Sequence, residues 1–582
     1  MNRNRLCAWR SMVLLAMPLF AASARAQAPL EPVQLPARTS AYLIWRGAPA
    51  SDARNANSLL ALWDDPDFAS VRAALFENAT ADRGAEPAKA AVARREAGQY
   101  SALLENSFVV GYIPRPANKA PASSSKTPEQ TWNGGFLVYD RTGKEALLSK
   151  AVLGMRSQYA EVPNITQIII GDVPVLKIER KTGTSYWVEH GKYAVGAGER
   201  AVLEELLARL EGQATGASSL VESPEYKEAQ PLLGGGLVEF FARTSNLKDL
   251  AGDTTASGFK VSPLLDAMRL DAVHSLCGRV MLEGAKTRFQ AAILGDTAPG
   301  TPFDLWNEGQ HTPESLALTS PEAISYSETQ FNFQGLYEIL LRAFRANLPS
   351  GQQSNSNMID AMAQSRLGMS MSDALGLLTG EFASLTTSPA IDPEKGLYVL
   401  VIGKKPETLK LIRTLFGDQV TSERNEGEVT YMKISTHGNQ GTADVTQRDF
   451  YHLAVTPHFV LAGSRNETLR DLLATRSTQS PSKTLEANPQ FQAARAAYPD
   501  KLDGIYYFDF QKVDWPAMKA RWIEEAKKAS KNSTLDSQKN ALSQVPTLLG
   551  NVNPQVFPRH LHLMAGASWK DSKGIHFDQW LQ

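Results

Sequence analysis

The chain has 582 residues, of which 43% are hydrophobic and 21% charged, with 60 Lys and Arg against 61 Asp and Glu. This composition is that of a folded globular protein, and it excludes a disordered or collagen-like chain, while the length predicts at least two domains. The net charge of −1 argues against nucleic-acid binding, and the two cysteines exclude a disulfide framework.

The first 26 residues have the pattern of an export signal. Arg3, Arg5 and Arg10 precede a short apolar stretch, and Ala-Arg-Ala at 24–26 is a small-x-small cleavage pattern. The apolar stretch is shorter than the about 20 residues that a membrane span needs. We therefore predict cleavage near Ala26 and a periplasmic or secreted protein without a membrane span. An uncleaved anchor is the less favoured alternative.

Two parts of the chain resemble each other at a constant offset of 266 residues. Residues 192–208 align with 458–474 without a gap, and residues 236–247 align with 502–513. Such self-similarity over a long offset is the sign of an internal repeat. The sequence therefore predicts two homologous halves.

The repeat divides the chain into four predicted parts. These are the signal peptide (1–26), a first repeat (27–295), a linker rich in Pro and Gly (296–317) and a second repeat (318–582). In each repeat, strands joined by short loops favour an antiparallel meander over parallel units. We predict an α+β fold of two tandem homologous halves, each a mainly antiparallel sheet with helices packed on one face.

In chain order, the first repeat is predicted to open with a strand over 41–46 and to continue with a strand at Phe136 and a helix over 145–153. Three short strands follow, VPVLKIE, SYWVEH and YAVGA, and then a helix with apolar residues at helical spacing over 202–210. The second repeat is predicted to have a strand from Leu397, a helix over 406–415, the strands VTYMKIS, FYHLAV and FVLAG, and a helix with Leu469, Leu472 and Leu473 on its apolar face.

An Asp/Ser/Asn-Pro-x-aromatic motif occurs three times, at 65–68, 223–226 and 488–491. The first residue can accept hydrogen bonds from the first turn of a helix, and Pro fits the first helical position. All three copies predict helix starts. A cation site at the acidic first copy is the less favoured alternative, because the other two copies are not acidic at the same places.

The sequence Gly196-Ala197-Gly198 follows a predicted strand and opens a helix, which is the context of a dinucleotide-binding turn. The matching residues of the second repeat, 462–464, are Ala-Gly-Ser and lack the glycine pair. A tight strand-to-helix turn is therefore the favoured interpretation, and no cofactor is predicted.

Histidines near the end of the chain raise the question of a metal site. His560 and His562 are predicted on one face of a strand, with His576 and Asp578 on the next strand and His576 facing Trp569. Two histidines do not complete a zinc site, which needs three or four ligands. An exposed strand face is favoured, and no metal site is predicted.

Signatures of catalysis are missing from the sequence. It has no Gly-x-Ser-x-Gly, His-Glu-x-x-His or Walker motif. Ser123 with Lys126 and Ser480 with Lys483 match a serine–lysine pattern, but both pairs lie in loops where a desolvated base is implausible. Cys277 lies in an alternating strand and is predicted to be a small buried hydrophobic residue. No catalytic residue is predicted.

Trp132 and Trp306 lie in stretches rich in Gly and Pro that have no helical or strand period. Exposed tryptophan is a common anchor of binding surfaces, so both are candidate partner-binding residues. Packing at the edge of a core is the alternative for each.

Several segments occur in the order of a known group of proteins. A Leu-Pro opening, Leu-x-Gly-Glu-Phe-Ala at 378–383, a Gly-Leu-Tyr-Val strand, the strand–turn–helix and the Asn-Pro-x-Phe helix start follow one another. In this order the chain resembles a numbered domain-of-unknown-function family of exported bacterial proteins. The resemblance covers most of both halves, and the first half departs from it at 105–109. It implies export and duplication and brings no catalytic residues.

These observations favour a non-catalytic protein of the cell envelope that binds a ligand or partner in the cleft between its two halves, because clefts between domains are favoured binding places. Its partner would be an unknown ligand or envelope protein. The alternatives are an envelope hydrolase whose site is assembled from distant residues and an envelope assembly scaffold.

Overall fold

The computed structural model of the chain describes residues 28–72, 101–114, 134–149, 164–180, 183–213, 218–245, 265–306, 313–347, 357–391, 396–435, 450–478, 484–532, 546, 549–550 and 552–582. The predicted signal peptide lies outside these residues. Within the described ranges, none of the helices combines the length and the hydrophobicity that crossing a membrane requires.

Twenty described strands form one sheet with antiparallel pairing. The strands before the predicted linker are β1 (Ala41–Trp45), β2 (Phe108–Tyr112), β3 (Gly135–Asp140), β4 (Asn164–Ile170), β5 (Val173–Arg180), β6 (Gly183–His190), β7 (Tyr193–Ala197), β8 (Val238–Arg243), β9 (Val273–Glu283) and β10 (Lys286–Gly295). The strands after it are β11 (Ser325–Gln330), β12 (Leu378–Thr386), β13 (Leu397–Ile402), β14 (Val420–Glu426), β15 (Val429–Ser435), β16 (Phe450–Val455), β17 (Phe459–Gly463), β18 (Gly504–Asp509), β19 (Leu563–Asp571) and β20 (Gly574–Leu581).

The strand order is the same in the two groups of ten. The first group is ordered β4-β5-β6-β7-β3-β2-β1-β8-β9-β10. The second is ordered β14-β15-β16-β17-β13-β12-β11-β18-β19-β20. The last strands of the two groups, β10 and β20, pair with each other, and Gln290 lies opposite Asp578. Each of these two is the fifth residue of its strand, so the pairing relates the two hairpins by a local twofold axis.

Helices lie between and beside these strands. They are α1 (Ser51–Ala56), α2 (Ser58–Asp64), α3 (Arg200–Leu210), α4 (Pro224–Ala229), α5 (Phe333–Asn347), α6 (Asn357–Leu367), α7 (Met371–Leu375), α8 (Lys405–Phe416), α9 (Asn466–Thr478), α10 (Pro489–Arg495), α11 (Trp515–Asn532) and α12 (Val556–His560). The α+β class is therefore confirmed as a mainly antiparallel sheet with helices.

Helices contact both faces of the sheet in the second half. Tyr431 packs in the same buried cluster as Leu469 of α9, whereas the next residue, Met432, packs with Leu409 of α8. Successive residues of a strand point to opposite faces. The two helices therefore cover opposite faces of β15, and the prediction that helices pack on one face fails here. The strands around β15 are apolar on both faces, and α8 packs against the second of these faces.

The three proline motifs all begin helical turns, as predicted. The Ser223 hydroxyl accepts a hydrogen bond from the Tyr226 N–H, and the Asn488 carboxamide oxygen accepts from the Gln490 and Phe491 N–H groups. At the first copy the Asp65 carboxylate accepts from the N–H of Asp67 at 2.8 Å, and the turn that follows is a short 3-10 helix.

The predicted linker contributes buried side chains. Its described residues form 3-10 turns at Pro302–Leu305 and Glu314–Leu318, and Phe303 and Leu316 are 1% and 5% exposed. Its chain is therefore packed against the sheet at these points.

Candidate functional site

The junction of the two groups of strands carries a chain of polar side chains. The Asp578 carboxylate is 3% exposed and accepts hydrogen bonds from Arg288 Nε at 2.9 Å and Gln290 Nε2 at 2.8 Å. Arg279 Nε donates to Gln290 Oε1 at 3.0 Å. The bond to Asp578 raises the pKa of Arg288, so the guanidinium stays charged. Charge-assisted bonds of this kind fix geometry as well as adding stability, so they hold β10 and β20 in register.

A cleft of about 480 Å³ opens beside this junction. Lys286 of β10 supplies one wall, and residues from 490 onward supply the rest. The lining residues are Lys286, Gln490, Ala493, Ala494, Gln511, His562, Leu563, Trp580 and Gln582. We call this feature the junction cleft.

The Trp580 indole and the Lys286 ammonium lie together in the junction cleft. Trp580 is 7% exposed, and Lys286 Nζ lies 4.2 Å from the centroid of its ring. A cation over an aromatic face at this distance is attracted by the ring quadrupole. Among the described residues, no carboxylate forms an ion pair with Lys286. The cleft therefore contains a cation held by an aromatic ring.

Two further polar groups of the cleft are held by backbone atoms. Gln511 Nε2 donates to the carbonyl oxygens of Pro558 and Leu561, both at 2.8 Å, which fixes the side chain and leaves its oxygen as an acceptor. The oxygen of Gln582 accepts from the N–H groups of His562 and Leu563 at 2.6 and 3.0 Å. The exposed His562 side chain is thus mounted on a segment fixed by main-chain bonds.

The second half also gathers three carboxyl groups in its core. Glu328, Glu381 and Asp503 are 4%, 1% and 0% exposed. Burial, then the charges of Glu381 and Asp503, raise the pKa of Glu328 to about 8, although a hydrogen bond from Gln330 opposes the shift. Glu328 therefore carries a proton at neutral pH. Within the described residues, no group of three or more His, Cys, Asp or Glu side chains is arranged to hold a metal ion.

The two candidate tryptophans have different outcomes. Trp306 is half-buried, and its ring lies 6.4 Å from the ring of Phe331 in an edge-on contact. Its contacts include the buried cluster that contains Phe303 and Ile575. Trp132 lies outside the described residues. A role for either residue in partner binding stays a prediction.

His560 and His562 do not share a strand face, so that prediction is wrong. His560 ends α12, and His562 precedes β19. His560 Nε2 lies 2.8 Å from the Asp65 carboxylate. The short helix α12, which the sequence did not reveal, contains His560 and so takes it out of the strand. The facing of His576 and Trp569 is confirmed, and their rings stack at 5.3 Å.

The remaining predictions concern Cys277, the turn at Gly196 and the two serine–lysine pairs. Cys277 is fully buried as predicted, and burial raises its pKa to about 12. At Gly196 the predicted tight turn is confirmed, because β7 ends at Ala197 and α3 begins at Arg200. A Cβ atom at Gly196 would lie 3.0 Å from the Trp187 ring, which explains a glycine there without a nucleotide. Both serine–lysine pairs lie outside the described residues.

The cleft residues themselves were not identified from the sequence. Lys286 and Trp580 are 294 positions apart, and only the pairing of β10 with β20 brings them together. The sequence did contain a signal. When the strands of the two predicted repeats are matched, Lys286 corresponds to Gly574 and Trp580 to Ala292, so both cleft residues are positions at which the repeats differ.

Comparison with protein-family models, with curated proteins and with solved structures finds no match for this chain. The resemblance to an exported family stays a prediction.

Proposed function

We propose that this chain is an exported, non-catalytic protein that binds a small ligand in the junction cleft. The observation that carries the proposal is the position of the cleft, where Lys286 of the first half meets Trp580 of the second. Its volume of about 480 Å³ lies in the range of small-molecule sites, about 300–1,000 Å³.

The lining suits reversible binding of a polar ligand. An indole, a lysine ammonium, an imidazole and three glutamines offer an apolar wall and several hydrogen-bonding groups. Sites of this kind combine aromatic surface with a few polar groups that orient the ligand.

We also propose that the two halves arose by duplication. The equal strand order of the two groups of ten supports this origin, as does the gap-free match of 192–208 with 458–474. Duplication followed by divergence would give a cleft at the junction whose two sides differ.

The binding proposal is tested with the full-length chain. Ala493 lines the cleft and is exposed, so Ala493→Trp should fill the cleft without disturbing the core, and Ala496→Trp just beyond the same helix is the matched control. We expect a library of small polar compounds, screened by ligand-observed NMR, to contain binders that Ala493→Trp abolishes and Ala496→Trp retains. Binding that survives Ala493→Trp, or a library without binders, would overturn the proposal.

Export has its own test. We expect the protein recovered from cells to lie in the envelope or the medium and to begin at Gln27 by N-terminal sequencing. Recovery of chains with an intact N-terminus from the cytoplasm would contradict it.

A further inference from the structure

Two histidines occupy the same place on the two sides of the junction. His274 directly precedes Ser275, which pairs with Arg243, the last residue of β8. His562 directly precedes Leu563, which pairs with Asp509, the last residue of β18. The two imidazoles therefore stand at matched positions in the two halves.

The residues that face these histidines differ. Glu228 is the fifth residue of α4, and its Oε2 lies 3.0 Å from Nδ1 of His274. Ala493 is the fifth residue of α10, and it lines the junction cleft together with His562. A carboxylate thus occupies this place in the first half, and a cleft occupies it in the second.

Two other matched positions add to the difference. Lys286 is the first residue of β10, and the first residue of β20 is Gly574; Trp580 is the seventh residue of β20, and the seventh of β10 is Ala292. Relative to its counterpart, the second-half corner therefore lacks the glutamate side chain that faces the histidine, and it has an added cation and an added indole. The Lys286 ammonium, which forms no ion pair with a described carboxylate side chain, favours a negatively charged guest.

On the premise that the junction cleft binds a ligand, we propose that it selects small molecules bearing a carboxylate, which contacts His562 as the Glu228 carboxylate contacts His274. Lys286 provides the second favourable interaction, and Trp580 presents the apolar wall. The first half supplies the contact geometry within the same molecule, since imidazole and carboxylate already meet there at hydrogen-bond distance.

The probe is sodium propionate, with propionamide as the neutral control of the same shape, added to the full-length chain. Imidazole resonances of His562 and His274 are followed by nitrogen–proton NMR. We expect propionate to shift the His562 signals, propionamide to leave them unchanged, and His274 to respond to neither. Equal responses to propionate and propionamide would overturn the proposal.

Variants locate the interaction. Ala493→Glu places a carboxylate where the first half has one, so it should abolish the propionate response of His562. Lys286→Met should weaken propionate binding by up to about 5-fold, the effect of a partly exposed charge pair. In Glu228→Ala, His274 should gain a propionate response weaker than that of His562, because the lysine and tryptophan are absent from that corner. A response of His562 that persists in Ala493→Glu would overturn the carboxylate assignment.

The two proposals fail in different ways. If polar compounds bind in a manner that Ala493→Trp abolishes, but carboxylates bind no better than their amides, the cleft is a binding site of other selectivity. If Ala493→Trp abolishes no binding, the proposed function fails, and the carboxylate assignment fails with it.

Discussion

The central strands β1 and β11 pair in equivalent ways, yet their buried fourth residues differ. Ile44 is fully buried in the first half, and Glu328 is 4% exposed at the same position in the second. An apolar side chain therefore packs at this position of the strand, and the fold does not require a carboxyl group there. A buried carboxyl group without a cation avoids ionisation by holding a proton, which is the state that Glu328 adopts.

The first half also buries an acid close to this place, but it provides partners. Glu239 accepts hydrogen bonds from the Tyr42 hydroxyl at 2.6 Å and the Gly234 N–H at 2.7 Å, and Arg46 lies 3.9 Å away. In the second half the matched residue is Ile505, and Glu328 receives a bond from Gln330 at 2.9 Å. The comparison teaches that two neighbouring positions of the sheet accommodate a compensated anion, an apolar residue or a neutral acid.

The largest expected effect is that of Glu328→Gln. The folded-state pKa of about 8 lies above the usual value of 4.5, so wild-type stability falls as the pH rises from about 4.5 to about 8. Removing the ionisable group should raise the free energy of unfolding by about 3 kcal/mol at pH 7 and leave it unchanged near pH 4. Urea unfolding of both proteins across this pH range measures the difference. A constant difference at all pH values would show that Glu328 does not hold the proton.

Arg46→Met should have the opposite sign in the first half. It removes the guanidinium that bonds Glu31 at 2.6 Å and lies beside Glu239. Loss of one member of a largely buried charge group should lower the free energy of unfolding by about 2–3 kcal/mol. The matched control is Gln330→Met at the equivalent place in the second half, which removes a hydrogen bond to Glu328 but breaks no ion pair. Equal losses in the two variants would show that ionic compensation is not the difference between the halves.

Trp306→Ala tests an apolar contact of the predicted linker, for comparison with the ionic contacts of Arg46. The residue packs on Phe331 and on the cluster around Phe303, so truncation should lower the free energy of unfolding by about 2 kcal/mol. If Trp306 serves packing alone, compounds that bind the junction cleft should keep their affinity, as measured by ligand-observed NMR. A loss of partner capture without a loss of stability would instead support the role as a binding anchor.

Asp65→Asn gives the first proline motif the same capping residue as the third motif, in which Asn488 is the cap. The cap should survive, as Asn488 shows, but the carboxylate hydrogen bond to His560 at 2.8 Å and the ion pair with Arg559 at 3.4 Å would be lost. We expect a loss of about 1–2 kcal/mol near neutral pH.

The partners hold the pKa of Asp65 below its ordinary value even though burial acts the other way. The stabilisation is therefore present above the usual aspartate pKa of about 3.9 and disappears as the pH falls below it. Melting temperatures of wild type and Asp65→Asn should converge at acidic pH. A difference that persists below about pH 3 would rule out the ionic contacts as its source.

Much of the local structure followed from sequence pattern. The strand over 41–46, the helix over 406–415 and the three helix starts are present as predicted or within one or two residues. The strands β4 and β14 were not predicted. Val420–Glu426 is largely exposed and rich in charged and polar residues, so it lacks the hydrophobic alternation that reveals a strand. The pairing with β15 defines it as a strand.

By itself, the sequence determined the antiparallel α+β class and the burial of Cys277, because both depend on local periodicity and short connections. Only the tertiary structure decided that β10 pairs with β20, that Lys286 lies over Trp580, and that Glu328 lies among carboxyl groups. Each of these depends on contacts between residues far apart in the chain. The pattern of side chains along a strand specifies which of its faces is buried, but it does not specify which other strand pairs with it.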